Sequence, residues 1–148
     1  MMNEDLFHLG IKGLVTNSDG NILLLKVNPA ELHGSNNNND YWDLPGGRVQ
    51  RGGSIEDTLI REVEEELGVK EITIGKSIGM VLSNIRIPLE DGSSIGLILG
   101  VYECTLPANT KIKLSFEHIA YQWFSPAEAA TLLHVKYPKD FCELVAEL

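Results

Sequence analysis

The sequence predicts an α/β (α+β) fold, a mixed β-sheet flanked by helices, and three features carry that expectation. Two apolar, β-branched-rich runs at residues 11–16 and 22–27 bracket Asn17-Ser18-Asp19-Gly20, turn formers that end in the Asp-Gly pair of a hairpin. Residues 55–67 repeat apolar side chains at helical spacing, with Leu59, Val63 and Leu67 on one stripe. Further strand-like runs and a closing helical segment follow. Periodicity alone does not fix the strand order. With 148 residues and 43% hydrophobic content, the chain suits one cored domain over 1–148.

After the predicted hairpin, residues 28–40 contain Pro29, Gly34 and four successive asparagines at 36–39, which reads as a mobile surface loop. Its place before Tyr41-Trp42 leaves open that it folds over a substrate. Ser54 stands one residue before the helical pattern and Asp57 three after it, a start resembling a capping box, and Gly68 supplies the stop. Residues 72–87 and 95–106 read as two strand regions, with Asp91-Gly92 as the turn between them. Ser125-Pro126 places an N-cap and a first-turn proline at the head of a helix over 126–133, and a last short helix spans 139–148. There is no internal repeat.

The helix over 55–67 carries the chemistry. Arg61-Glu62-Val63-Glu64-Glu65-Glu66-Leu67-Gly68-Val69 has five charged residues in nine, four of them carboxylates. Positions three and four apart share a helix face, so Glu62, Glu65 and Glu66 form one acidic cluster opposite the apolar stripe, and Glu64 falls outside both. A like-charged pair at i,i+4 costs about 0.2–0.5 kcal/mol in an isolated helix. Three crowded carboxylates raise one another's pKa unless a cation sits between them. A hard divalent ion with oxygen ligands, Mg²⁺ or Mn²⁺, suits that cluster. Taken alone, the same residues would read as a solvated helix face.

The stretch 47–69 resembles the Nudix box: Gly, five residues, Glu, seven residues, then Arg-Glu-aliphatic-any-Glu-Glu-any-Gly-aliphatic. Gly47, Arg61, Glu62, Val63, Glu65, Glu66, Gly68 and Val69 match, whereas Gly53 occupies the place of the first Glu. Trp42-Asp43-Leu44-Pro45-Gly46-Gly47 before the box and residues 116–124 after it are also similar to the family. The resemblance covers roughly residues 10–135 and implies the α/β/α Nudix sandwich.

It also implies an activity, a Mg²⁺-dependent hydrolysis of a diphosphate linkage in a nucleoside triphosphate or nucleotide sugar. Glu62, Glu65 and Glu66 match the family's metal ligands, with Glu62 as ligand or proton acceptor and Glu65 among the catalytic groups. Glu117 resembles the additional ligand or general base that some members supply outside the box, and His118 beside it is a weaker candidate for proton transfer. Arg61 would orient a neighbouring Glu or balance charge, its fork being suited to carboxylates. Gly46 and Gly47 would bring backbone amides close to the ligands and substrate. Trp42, with Tyr41 and Phe7, is a candidate for stacking a base, packing being the alternative. Because Gly53 removes the usual partner of Arg61, Asp57 or Glu56 is expected to stand in. A catalytically weakened Nudix domain that binds a nucleotide or regulatory ligand is the competing reading, motivated by Gly53 and by Gln50 where an acid is frequent.

The formal net charge of −9 argues against a protein that grips a nucleic-acid backbone, while bound metal can still reverse the local sign for a phosphate-bearing small molecule. Cys104 and Cys142 show no zinc or disulfide spacing and read as ordinary thiols of a reducing compartment. The first residues have no basic n-region and no apolar run approaches ~18 residues, so a cytoplasmic protein without a membrane span is expected. A homodimer is left open.

Overall fold

The computed structural model describes residues 3–31 and 41–148. Its larger sheet is mixed. β1 (Phe7–Val15) runs parallel to β7 (Ser94–Thr105), in register from Phe7 opposite Gly96 to Val15 opposite Cys104. The other edge of β1 pairs antiparallel with β4 (Gly46–Arg48), placing Ile11 opposite Gly47 and Lys12 opposite Gly46. β5 (Thr73–Leu82) and the short β6 (Ile87–Pro88) pair antiparallel with β7. The smaller sheet is antiparallel, with β2 (Ile22–Val27) between β3 (Trp42–Asp43) and β8 (His118–Phe124).

Strand alternation sends these side chains into two cores. Ile11, Val15, Leu23 and Leu25 face the Leu59, Val63 and Leu67 stripe of α1 (Ile55–Leu67). Leu14, Ile22, Leu24 and Leu99 join Phe124, Leu133, Phe141 and Val145 beneath α2 (Pro126–Leu132) and α3 (Lys139–Ala146). The unbroken apolar run 22–25 therefore reflects burial on both faces rather than one.

Several elements depart from the expectations. The Asp-Gly turn forms, closed by Asn17 N–H to Asn21 C=O and a bridge between Thr16 and Ile22, but no hairpin ladder follows. Its two strands diverge into different sheets because each finds other partners, β1 between β4 and β7 and β2 between β3 and β8. β1 begins at Phe7, ahead of the apolar run, because β7 pairs with it along its whole length. The region 72–87 divides at Ser83 and Asn84, whose N–H groups turn to Leu97 C=O and Lys136 C=O. β3 and β4 are too short to carry a periodic signal, whereas β8, whose Ile119, Tyr121 and Trp123 alternate at strand spacing, lies outside the expected strands. The helix expected over 126–133 ends at Leu132 and continues as a 3-10 turn, Leu133–Val135. Of the loop over 28–40, a 3-10 turn Pro29–Glu31 is seen, and residues 32–40 lie outside the described residues.

Candidate active site

The acidic helix is held at both ends by its own sequence. Ser54 Oγ accepts the Asp57 N–H at 3.1 Å, a one-way cap rather than a reciprocal box. Gly68 closes the other end in the left-handed region, φ 69°, with its N–H on Glu64 C=O at 2.9 Å. Burial of Leu59, Val63 and Leu67 then fixes the helix rotation.

That rotation presents the glutamates to the turn of Gly46 and Gly47. Gly46 has φ 144°, and a Cβ there would lie 2.0 Å from Ile11 O, so only glycine fits. Its N–H donates to Glu66 Oε1 at 2.8 Å. A Cβ on Gly47 would lie 1.7 Å from Glu62 Oε1: the glycine leaves the space in which the Glu62 carboxyl rests. Two glycines of one turn thus seat two of the three clustered carboxyls.

The electrostatics follow from crowding. Burial pushes the Glu62 carboxyl up to about 7, and its hydrogen bond to Glu65 and the negative charges of Glu65 and Glu117 push the same way against Arg61. Arg61 Nε stands 3.6 Å from Glu62 Oε2. Glu66, 5% exposed, is pushed up to about 8 by burial, opposed by Lys12 and by the Gly46 N–H. His118 Nε2 lies 3.8 Å from Glu66 Oε2, its buried Nδ1 finds no hydrogen-bond partner among the described residues, and burial with Lys12 lowers its pKa to about 4, which keeps the ring neutral near pH 7.

The predicted residues divide accordingly. Glu62, Glu65 and Glu66 gather at the turn, Arg61 pairs with Glu62, and the exposed Glu117 reaches Glu62 through its charge. Among the described residues Arg61 is ion-paired with Glu62, and no ion pair joins it to the exposed Asp57 or Glu56. Trp42 packs edge-on against Phe124, ring centroids 5.1 Å apart, with Lys26 Nζ 5.9 Å over its ring. The sequence reading missed Lys12, Asp43, Lys136 and Tyr137, which form a buried polar cluster directly behind the turn. A lysine inside the apolar run of β1 was the available signal, since a buried ammonium requires a partner.

An oxygen-only donor set of crowded carboxyls suits a hard divalent ion. Among the described residues no three His, Cys, Asp or Glu are drawn tightly enough to hold one as they stand. Burial and the neighbouring Glu65 raise the pKa of Glu62, and a bound cation would displace the proton that Glu62 retains.

A two-sheet α/β core that lodges a glutamate-rich helix against a Gly-Gly turn defines the class, a carboxylate-rich site on a mixed-sheet scaffold. The NUDIX domain family matches residues 6–144, and the chain belongs to that family. It is 36% identical over 92 residues to the nucleoside triphosphatase NudI of Salmonella typhimurium, a match covering 60% of this chain. The matched segment spans 64% of the length of that relative. The crystal structure of the MutT protein from Methanosarcina mazei Go1 is similar with a TM-score of 0.72 and 30% identity, over 99% of this chain and 97% of that one. The solution structure of the E. coli ORF135 protein shares the fold, with a TM-score of 0.64 and 23% identity over 98% and 90% of the two chains. Among the described residues no helix is long and apolar enough to cross a membrane.

Proposed function

We propose that this Nudix protein is a pyrophosphohydrolase that uses Mg²⁺ or Mn²⁺ to cleave a diphosphate linkage, with a nucleoside triphosphate as the favoured substrate and a nucleotide sugar as the next. One observation carries the reading: Gly46 and Gly47 seat Glu66 and Glu62 beside Glu65, so the carboxyls of one helix converge on one glycine turn. The nucleotide preference is supported by the likeness to the nucleoside triphosphatase NudI.

Glu62, Glu65, Glu66 and Glu117 would hold the ion, which when bound supplies charge neutralisation to the phosphoryl oxygens. The chain's own residues do the rest. Arg61 restrains the Glu62 carboxyl from one side while Gly47 leaves it room on the other. In this reading Glu62, with Glu65 beside it, would accept a proton from the attacking water. The Gly46-Gly47 turn and Trp42 ahead of it would, in the same reading, face the substrate. One domain over 1–148 and a cytoplasmic setting belong to this reading, supported by two free thiols.

The test is a screen of nucleoside triphosphates, dinucleoside polyphosphates and nucleotide sugars with Mg²⁺ and with a chelator, reading released phosphate and diphosphate. Cation-dependent turnover of a nucleoside triphosphate supports the proposal. Ligand-induced thermal shifts without turnover anywhere on the panel would favour a binding module instead.

A further inference from the structure

Asp43 is 3% exposed and stands three residues ahead of Gly46. Lys12 Nζ donates to its Oδ2 at 3.1 Å and Lys136 Nζ at 2.6 Å, while the Tyr137 hydroxyl donates to Oδ1 at 2.6 Å. The same Oδ1 accepts the Leu44 N–H at 2.7 Å, and Lys12 Nζ also donates to Leu44 C=O at 3.2 Å. Both backbone polar groups of Leu44 are therefore held by this one cluster. The following residue is held as well, since Pro45 C=O accepts the Gly13 N–H at 2.8 Å, and the next is Gly46, which donates to Glu66.

Stability alone is a poor account of such a cluster. Buried ion pairs recover little more than their desolvation cost, and well-packed apolar side chains often serve a core as well. What an apolar replacement would lose here is the grip on Leu44.

We propose that Asp43 is a positioning residue for the glutamate site: directly and through Lys12 it fixes the Leu44-Pro45-Gly46 backbone, and so sets where Glu66 and Glu62 come to rest. Lys136 and Tyr137 extend this control to the segment that joins α2 to α3. Its consequence for catalysis rests on the cation-binding reading of the glutamates given above. Metal ligands depend on such outer partners for orientation, and losing one commonly costs about 10–100-fold in affinity or activity.

The full-length protein and the variants Asp43→Asn, Tyr137→Phe and Val145→Ala decide the matter. In metal-free protein, NMR hydrogen exchange of the Gly46 amide reports the seating of Glu66; Mn²⁺ titration reports the assembled site. Asp43→Asn is expected to speed Gly46 exchange at least about tenfold and to weaken Mn²⁺ binding by about 10–100-fold. Tyr137→Phe moves both in the same direction by less. Val145→Ala, which lowers stability from the core beneath α3 without touching the cluster, leaves both near wild type. Gly46 exchange that stays unchanged in Asp43→Asn and Tyr137→Phe, or that Val145→Ala moves equally, would overturn the proposal. If Asp43→Asn does not fold, Tyr137→Phe decides it. Absence of Mn²⁺ binding in the wild type would sink the reading of the glutamates, while Gly46 exchange would still judge the role of Asp43.

Discussion

In Gly47→Ala the new methyl carbon would lie 1.7 Å from Glu62 Oε1, 2.4 Å from its Cδ and 2.7 Å from its Cγ. Non-bonded heavy atoms settle at about 3.5 Å, so the carboxyl must move by roughly 2 Å. It has somewhere to go, because the Glu62 side chain is 19% exposed and can rotate toward solvent. The fold therefore loses little, about 1 kcal/mol, at the low end of overpacking costs. The site loses far more, since a displacement of about 1 Å in a reacting group can already cost on the order of 10²-fold in rate. Gly46→Ala is the contrasting case: its methyl would meet Ile11 O at 2.0 Å and Lys12 Cα at 2.8 Å, both backbone, at φ 144°. That collision has no side chain to yield. Phosphate release with Mg²⁺, measured beside calorimetric unfolding, should show Gly47→Ala at least 10²-fold slower with Tm lowered by about 2–4 °C, and Gly46→Ala clearly less stable than that. Gly47→Ala with turnover within about threefold of wild type, or with a loss of Tm matching that of Gly46→Ala, would refute the argument.

Two further outcomes concern stability. Glu62 and Glu66 have their pKa raised from 4.5 to about 7 and about 8 in the folded protein, so the native state keeps protons that the unfolded chain has released. Metal-free protein should accordingly lose stability as pH rises from 6.5 to 8, a window chosen because His118, lowered from 6.5 to about 4, takes up its proton below it; denaturant melts across that range should show the slope, and Glu66→Gln should flatten it. In Asp43→Ala the ammoniums of Lys12 and Lys136 lose their shared carboxylate, a loss of about 3–5 kcal/mol by chemical denaturation; a change below about 1 kcal/mol would mean that water already solvates the pair.

The acidic helix was legible in the sequence because three independent signals agree there: the Leu59, Val63 and Leu67 stripe, the Ser54 cap and the Gly68 stop. Its partner turn was legible as two glycines that bring backbone amides to the ligands, but the atoms a Cβ would strike were not, since the collisions with Ile11 and Glu62 depend on how β1 and α1 approach β4. The hairpin failed for a related reason. An Asp-Gly turn constrains only the residues beside it, and the sheet a strand joins is decided by its other partners. The cluster around Asp43 joins residues 31 and 93 positions away through Lys12 and Lys136, a contact that no local pattern encodes. Gly53 invited a compensating acid at Asp57 or Glu56 on the same helix, whereas Arg61 turns to Glu62 instead.

The most direct test compares two neighbouring substitutions on α1. Glu65 stands beside Glu62 and raises its pKa, whereas Glu64 lies outside the cluster, so the two changes remove the same charge from inside and from outside the site. With Mg²⁺ and nucleoside triphosphates, Glu64→Gln should turn over within about threefold of wild type, and Glu65→Gln should fall by about 10²-fold or more while keeping its Tm. Equal turnover in the two variants would contradict the assignment of the site.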